Sequence, residues 1–454
     1  MVEQMMRLVI ILYLILPFNN LEGQTLNPNT FGFCTTNAFL FTDGLSDDWI
    51  NSVKDLNPKV LRFPGGNEGN FYHINGKGYG FNLKEVALLK DSPLKERMIK
   101  LEEIIERKQI DRNFLSDFIK LSHHLNTKVI IVANVLTGTV EETISLITAF
   151  KEENIEIVGV ELGCELYASV FRKQVPNPEA YIDLITPFYN EIRLHFPSIK
   201  LGVVAAPYGG NTRHQKWNSV VSNFESDGVI VHLYPKINQY NISSVGEKEL
   251  NQIDEYIDNQ LKHELKYYRN LYNKEIWVTE WNIGLSKPLA NTIVQGVLVS
   301  KMLLEFNLNR VELATFHNLL AKEFMFSMIN PSWSGEVGEF QKRVSYYVFK
   351  QLSSLFQSPM TIEKNLDIYT LKQDNKLKAQ VSYSSPFKQI DYNSKTAVNI
   401  MSILGNKLNC GFGINYYSRE GNQYNLLTEI PCEFHSGQGE KIVDFNYSIN
   451  MYSY

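Results

Sequence analysis

The sequence has few cysteines, which excludes a fold stabilised by a disulfide framework. Cysteine occurs at four of 454 positions: Cys34, Cys164, Cys410 and Cys432. The fold must therefore be stabilised by burial of apolar side chains. The spacing of the cysteines fits no zinc motif, and we expect no metal and no cofactor. Cys410 and Cys432 flank a predicted hairpin and could form a disulfide in an oxidising compartment, but the sequence leaves this pairing open.

The sequence also lacks a strong excess of either charge, and it has no long apolar segment after its N-terminus. Its formal net charge is −5, so nothing indicates a nucleic-acid partner. Apolar residues 8–18, which follow Arg7, are too short to span a bilayer and are typical of a secretory signal. We expect a signal peptide at residues 1–23 and a mature chain that begins near Gln24. The mature chain should have no membrane span and a secreted or periplasmic location. Because Glu3 offsets Arg7 and the cleavage site is poor, a retained N-terminal anchor is the alternative.

Two short apolar segments each end on a glutamate. One continues through Glu161-Leu-Gly-Cys-Glu165, and the other ends at Glu280. A buried strand that ends on a carboxylate delivers the acid to a cleft. Glycoside hydrolysis needs two such acids, one to protonate the leaving oxygen and one to attack the sugar or activate water. We therefore predict Glu165 and Glu280 as catalytic, although either one alone would be an ordinary strand-end charge.

Strand-like and helix-like segments alternate through the first three quarters of the chain. Eight strands are predicted, at Phe31–Thr35, Val60–Phe63, Lys128–Val135, Ile157–Glu165, Ile199–Ala206, Gly228–Tyr234, Glu275–Trp281 and Val311–His317. Helical spacing is found between them, for example in roughly Pro178–His195 and Phe340–Leu355. This pattern predicts an α/β fold, a (β/α)8 TIM barrel over residues 24–357, with catalytic groups at the C-terminal ends of strands. A doubly wound open sheet competes with it but lacks a Gly-rich phosphate loop.

The periodicity changes from helical to alternating after about residue 357. Segments 366–371 and 377–383 alternate around Asp374-Asn375, which is a hairpin pattern, and segments 396–404 and 410–417 continue it. Residues 358–454 are therefore predicted to form a C-terminal β-sandwich. No linker separates the two parts, so we expect the sandwich to pack directly on the barrel.

Arg62 ends the second predicted strand, immediately before Phe63-Pro-Gly-Gly66. A buried arginine is costly unless it is paired, and a carboxylate on a neighbouring strand end is its natural partner. A guanidinium lowers the pKa of an adjacent carboxylate, so Arg62 is predicted to keep the nucleophile ionised. A purely structural ion pair is the alternative.

Several polar and aromatic residues are further candidates for binding a sugar. The long loop at residues 67–80 carries Tyr72, His73 and Tyr79, although a packed surface loop would have a similar composition. His232 and Tyr234 share one face of the sixth strand, so both can point into the barrel mouth. His317 ends the eighth strand and could line the same wall.

Four motifs follow one another along the chain: Leu61-Arg-Phe-Pro-Gly-Gly66, Glu161-Leu-Gly-Cys-Glu165, His232-Leu-Tyr234 and Thr279-Glu-Trp-Asn282. In this order and spacing they resemble the motifs of clan A retaining glycoside hydrolases, in particular family 51 α-L-arabinofuranosidases and family 79 β-glucuronidase/heparanase-type enzymes. The resemblance implies that Glu165 is the acid/base and Glu280 the nucleophile. It assigns supporting positions to Arg62 and Tyr234. Trp281 and Asn282 lie in the last motif and are expected to bind substrate or support the site.

One residue departs from the pattern of these families. They carry asparagine before the acid/base, where its amide binds the sugar 2-hydroxyl, whereas this chain has Cys164. A thiol is a weak hydrogen-bonding group, so the site either works more slowly or holds its substrate differently. The expected function is a secreted retaining glycosidase acting on an oligo- or polysaccharide. A carbohydrate-binding protein with a decayed site, and a lyase or transglycosylase, are the alternatives.

The resemblance and the chemistry together predict specific geometry. The carboxyl groups of Glu165 and Glu280 should lie about 5 Å apart, as in a retaining enzyme. Arg62 and Tyr234 should both contact Glu280. Because one acid donates a proton while the other attacks, the pKa of Glu165 should be raised and that of Glu280 lowered.

Overall fold

The computed structural model describes residues 24–42, 46–235, 247–283, 293–321, 327–331, 340–384, 399–406, 412–420, 423–430 and 445–454. The predicted signal peptide, Cys410 and Cys432 lie outside these ranges. No helix within the described residues is long and apolar enough to cross a membrane.

Eight parallel strands, β2 to β9, close into a barrel in chain order, which confirms the predicted (β/α)8 fold. These strands are Gly32–Cys34 (β2), Val60–Phe63 (β3), Lys128–Val132 (β4), Ile157–Glu161 (β5), Leu201–Val204 (β6), Gly228–Leu233 (β7), Glu275–Trp281 (β8) and Leu313–Phe316 (β9). β2 pairs with both β3 and β9, so no strand edge is left open. Each lies within the segment predicted from its apolar residues, although several end earlier.

Helices connect the barrel strands and cover their outer faces. The α-helices are Ala38–Phe41, Asp47–Lys54, Leu83–Val86, Pro93–Arg107, Phe114–Leu125, Val140–Glu152, Pro178–His195, Thr212–Val221, Glu247–Glu255, Lys262–Tyr272, Ile293–Leu308 and Val344–Leu352, with a π-helical segment at Tyr256–Leu261. Side-chain caps begin several of them, as at Thr139, which forms a reciprocal capping box with Glu142. The predicted helix Phe340–Leu355 begins too early. Phe340–Lys342 is instead a strand (β11) that pairs with Ile329–Pro331 (β10), and extended backbone at Arg343 separates it from the helix.

The C-terminal part is an antiparallel β domain, consistent with the predicted sandwich-like fold. Its strands are Thr361–Asn365 (β12), Ile368–Gln373 (β13), Lys376–Ser384 (β14), Asn399–Asn406 (β15), Phe412–Glu420 (β16), Gln423–Ile430 (β17) and Phe445–Ser453 (β18). Asp374 and Asn375 both have positive φ, as the predicted hairpin turn requires. The first strand, Gln24–Thr25 (β1), pairs with β12, so the chain starts in this sheet before it enters the barrel.

The helix Ile293–Leu308 lies between the barrel and the β domain and is buried on all sides. Glu305 accepts hydrogen bonds from Lys364 Nζ at 2.8 Å and from Tyr369 Oη at 3.0 Å, both on the C-terminal sheet. Lys301 pairs with Asp367 at 3.0 Å. These charges lie in a mostly apolar contact, so each needs its partner. The β domain therefore packs directly on the barrel, as expected.

One indole ring fills the lower part of the barrel interior. Trp277 on β8 is 2 % exposed, and its ring lies against Gly159, Gly202 and Gly228 on the three preceding strands. A Cβ at these glycines would lie 2.6, 2.7 and 2.4 Å from the ring. The interior is therefore packed by one large residue opposite three very small ones.

We predict that Gly228→Ala destabilises the protein by about 1–3 kcal/mol, since the added methyl group overlaps a ring that has no room to move. Chemical denaturation of the purified protein measures this loss. Adding Trp277→Phe to the same chain should recover part of it, because the smaller ring leaves space. Equal stability of Gly228→Ala and the unchanged protein would contradict this packing.

Candidate active site

Both predicted acids lie at the C-terminal end of the barrel. Glu280 is in β8, and Glu165 lies four residues after the end of β5 in a turn where its own φ is +49°. The ring of His232, on β7, lies between them. Its Nδ1 is 3.0 Å from Oε1 of Glu165 and 3.5 Å from Oε2 of Glu280. These two oxygens therefore lie no more than about 6.5 Å apart, near the lower end of the separations found in glycosidases.

A β-bulge aims Glu280 at this position. Relative to both neighbouring strands, β8 has one extra residue between Trp277 and Glu280. In a regular strand, side chains three residues apart point to opposite faces, but the bulge brings Trp277 and Glu280 to the same interior. Trp281 then points outward.

Besides His232, three further residues surround the carboxylate of Glu280. It accepts a hydrogen bond from Arg62 Nη1 at 2.7 Å and one from Tyr234 Oη at 2.8 Å, the two contacts expected from the sequence. Nδ1 of His317 lies 4.0 Å from Oε2. Burial raises the pKa of Glu280, but the positive charges of His232, His317 and Arg62 outweigh it and hold the pKa well below its ordinary value, as predicted.

Arg62 is fully buried and bridges two carboxylates. Its Nε and Nη2 donate to the two oxygens of Glu161 at 2.6 and 2.8 Å, while Nη1 donates to Glu280. The bidentate geometry fixes the plane of the guanidinium, so Nη1 has a defined direction toward Glu280. Arg62 therefore makes both the structural and the site contact that the sequence left as alternatives.

The environment of Glu165 differs from the prediction. It accepts hydrogen bonds from Asn67 Nδ2 at 3.0 Å and Tyr167 Oη at 3.2 Å, in addition to the contact with His232. Burial raises the pKa of Glu165, but the hydrogen bond and charge of His232 and the Asn67 amide outweigh it, so the pKa is lowered. The expectation of a raised pKa is wrong for the free site. The same interaction shifts the pKa of His232 in the opposite direction. Burial lowers the pKa of His232, but Glu280 and Glu165 raise it overall.

Cys164 lies beside Glu280 and is fully buried. Its Sγ is 3.7 Å from Oε1 of Glu280 and 3.7 Å from Nη2 of Arg62. Asn70 fixes its backbone, accepting from its N–H at 2.9 Å and donating to its C=O at 2.8 Å. The thiol therefore occupies a defined position beside the predicted nucleophile.

His317 and Asn282 form the wall beside Glu280. Asn282 Nδ2 donates to the carbonyl of His317 at 2.5 Å, so it positions this residue. Burial lowers the pKa of His317, but the charge of Glu280 and the hydrogen bond with Cys34 raise it to about 9. His317 therefore places a positive charge next to Glu280, in addition to those of Arg62 and His232.

Three predicted site residues have other roles. Trp281 is completely buried and packs edge-on against Phe306 and Phe316, because the bulge turns it away from the barrel interior. Tyr72 is 4 % exposed and donates to Asn113 Oδ1 at 3.2 Å. His73 contacts Glu85 and Glu142. None of the three has a described contact with Glu165 or Glu280, and their assignment to substrate binding stays a prediction.

Two residues of the site were missed in the sequence. Asn67 directly follows the Pro-Gly-Gly segment after Arg62, and that position was a usable signal. Tyr167 lies two residues after Glu165, but nothing in its neighbours distinguishes it from a core tyrosine.

Three side chains of the site, Cys164, His232 and Glu280, offer metal-ligand atoms that all lie within 4.8 Å of one another.

Comparison with known proteins identifies the fold. No protein-family model matches the sequence, and a search of curated proteins finds no match. Among solved structures, the chain is similar to the GH51 arabinofuranosidase from Xanthomonas axonopodis pv. citri, with a TM-score of 0.60, 12 % identity and coverage of 96 % of this chain and 98 % of that one. The chain shares its fold with this arabinofuranosidase. The suspected resemblance to family 51 is therefore confirmed at the level of the fold.

Two further structures show the breadth of this similarity. The α-L-arabinofuranosidase from Thermotoga maritima has a TM-score of 0.59 at 13 % identity and covers 95 % of this chain and 98 % of its own. The 4-O-α-L-rhamnosyl-β-D-glucuronidase from Fusarium oxysporum has a TM-score of 0.56 at 13 % identity and covers 95 % and 97 %. The barrel and the β domain therefore occur together in proteins named for different sugars.

The contacts of His73 fasten the loop that carries Asn67 and Asn70. Its Nε2 lies 3.0 Å from Glu85 and its Nδ1 lies 2.9 Å from Glu142. Burial lowers the pKa of His73, but hydrogen bonds and charge from these two glutamates outweigh it and raise the pKa above its ordinary value. The charged imidazole therefore stabilises the folded loop.

We predict that His73→Gln reduces stability more at pH 6 than at pH 9. Because the folded pKa is raised, the stabilisation is complete below the unfolded pKa of about 6.5 and is lost as the pH rises through the folded value. Denaturant titrations at both pH values measure the difference. The matched control is His123→Gln, since His123 and Glu153 form an exposed pair of little energetic value. A loss that is equal at both pH values would contradict the charged contact.

Proposed function

We propose that the protein is a retaining glycoside hydrolase with Glu280 as nucleophile and Glu165 as acid/base. The observation that carries this proposal is the contact of one imidazole nitrogen with both carboxylates. Retaining enzymes place their two carboxyl groups about 5–5.5 Å apart, whereas inverting enzymes leave room for a water molecule at about 6.5–9.5 Å. The short contacts of His232 favour the first arrangement.

The surroundings of Glu280 suit a nucleophile. Positive groups keep the carboxylate ionised, and the hydrogen bonds from Arg62 and Tyr234 fix its orientation. In the proposed first step, an oxygen of Glu280 attacks the anomeric carbon while the leaving oxygen takes a proton from Glu165. In the second step, Glu165 removes a proton from water, and that water releases the sugar from Glu280.

The proton for the first step is shared between Glu165 and His232 in the proposed mechanism. Their contact is 3.0 Å, and Thr279 Oγ1 lies 3.3 Å from the other ring nitrogen. A substrate that covers Glu165 excludes water from its carboxylate. This desolvation favours the neutral acid, so the proton moves from the imidazole to Glu165 when it is needed.

The proposed substrate is an O-glycoside of an oligo- or polysaccharide. The fold is shared with proteins named for arabinofuranosides and glucuronides, and the site offers carboxylates, an imidazole and amides, which bind hydroxyl groups. Export of the protein is also part of the proposal, on the strength of the apolar segment at residues 8–18.

We predict that Glu280→Gln abolishes turnover of all glycosides, by about 10⁴-fold or more, since the amide does not attack. Glu165→Ala should lose about 10²–10⁴-fold on natural glycosides but retain a burst of nitrophenol from activated ones, because a good leaving group needs no proton. Steady-state and burst kinetics measure both effects. Azide should accelerate the second step of Glu165→Ala, since it needs no base.

The control for this comparison is Glu275→Gln, which changes a glutamate of the same strand at the opposite end of the barrel. It should retain activity. Equal losses of Glu165→Ala on both substrate classes would show that the acid/base is misassigned. Binding of glycans without turnover of any aryl glycoside by the unchanged protein would favour the carbohydrate-binding alternative.

We further predict that Cys164→Asn increases kcat/KM by about 10-fold on glycosides with a free 2-hydroxyl, since an added hydrogen bond in the transition state contributes about 1.4 kcal/mol. The same variant should not gain activity on 2-deoxy glycosides, which lack the partner. Comparing the two substrates removes effects on folding from the measurement. A gain of equal size on both would assign the effect of residue 164 to packing.

A further inference from the structure

We propose that Cys164, His232 and Glu280, together with Glu165, form a binding site for a soft divalent cation of the zinc type. The ion would lie between the two predicted catalytic acids. Binding of the ion and binding of a sugar would then exclude each other. The site is built from side chains that belong to three different barrel strands or the turns after them, so it exists only in the folded protein.

The distances suit tetrahedral coordination. Zinc bonds of about 2.3 Å to sulfur and about 2.0–2.1 Å to nitrogen or oxygen place neighbouring ligand atoms about 3.3–3.7 Å apart. Here Sγ of Cys164 lies 3.7 Å from Glu280 Oε1, and His232 Nδ1 lies 3.5 Å from Glu280 Oε2 and 3.0 Å from Glu165 Oε1. One ligand atom from each of Cys164, His232 and Glu280 lies within 4.8 Å of the others, so shifts of about 1 Å would bring these atoms around one ion.

The types of ligand select the class of ion. A thiolate and an imidazole favour zinc, cobalt and similar borderline or soft ions, whereas magnesium and calcium prefer sites made of oxygen alone. The remaining nitrogen of His232 lies 3.3 Å from Thr279 Oγ1, and Asn70 fixes the backbone of Cys164. Metal sites commonly have such supporting hydrogen bonds, which orient the ligands before the ion binds.

The charges around the site also favour a cation. Three carboxylates, those of Glu161, Glu165 and Glu280, lie at this end of the barrel, and Arg62 pairs with two of them, Glu161 and Glu280. Arg62 engages both oxygens of Glu161 but one oxygen of Glu280; Oε2 of Glu280 accepts a hydrogen bond from Tyr234 and lies 3.5 Å from Nδ1 of His232. On binding, the thiol proton and any imidazolium proton pass to solvent, and the divalent ion replaces their positive charge.

The consequence for activity rests on the proposed function, whereas the binding itself does not. The ion would use the oxygen of Glu280 that attacks and the oxygen of Glu165 that carries the proton. Glycoside turnover would therefore stop while the ion is bound and return when a chelator removes it. In a chain with asparagine at position 164, the thiolate ligand would be missing.

Titration of the full-length protein with Co²⁺, followed by absorption spectroscopy, tests the site directly. We expect a thiolate-to-cobalt charge-transfer band in the near ultraviolet and intense visible bands typical of four-coordination, both removed by competing Zn²⁺. Cys164→Ala and His232→Asn should each weaken Co²⁺ binding by about 100-fold or more. The matched control is Cys34→Ala, since this second buried thiol lies on the Nη1 side of Arg62 and should leave the spectrum unchanged.

Two results would overturn the proposal: a cobalt spectrum without a thiolate band, or a thiolate band that survives Cys164→Ala. Should the variants fail to fold, as circular dichroism would show, Zn²⁺ inhibition of the unchanged protein decides the matter. It must be competitive with an aryl glycoside and reversed by chelator, and noncompetitive inhibition would reject the site. A protein that binds Co²⁺ through Cys164 but hydrolyses no glycoside would retain this site and refute the proposed function.

Discussion

The buried guanidinium of Arg62 is the constraint on which the site depends. A charge in the barrel interior is tolerated only when it is paired, and removing one partner of a buried pair costs about 3–5 kcal/mol. Glu161 and Glu280 supply that pairing from β5 and β8. The ends of three strands are thereby held together, and the carboxylate of Glu280 has a fixed position even without substrate.

The presence of Glu161 also explains how the proposed nucleophile could lose its charge. In the glycosyl-enzyme, Glu280 would be a neutral ester and a poor partner for a cation. Arg62 would still be paired, because Glu161 binds it through two hydrogen bonds of 2.6 and 2.8 Å. The structural ion pair and the catalytic contact therefore depend on each other. One carboxylate keeps the guanidinium stable, and the other is free to react.

Much of the fold and part of the site could be predicted from the sequence, because apolar strand segments and strand-end charges are local signals. The eight barrel strands are of this kind, whereas the contact of Arg62 and Tyr234 with Glu280 is predicted from strand-end positions together with the resemblance to clan A glycoside hydrolases. The bulge in β8, which places Trp277 and Glu280 on the same face, could not be predicted, since it has no marker in composition. The lowered pKa of Glu165 depends on the place of His232 across the barrel, which no spacing along the chain reveals.

The residue at position 164 determines which ligands the site can distinguish. Two carboxylates and an imidazole can accept either the hydroxyl groups of a sugar or a cation, and a neutral amide beside them would favour the sugar. A thiol at the same place contributes little to a hydroxyl group, since it hydrogen-bonds weakly, but it becomes a strong ligand once it is deprotonated. Because Cys164 lies at 3.7 Å from both Glu280 and Arg62, it touches the predicted nucleophile and the group that keeps it ionised. A cysteine at this position would therefore weaken recognition of a 2-hydroxyl and supply the soft ligand of the proposed ion site.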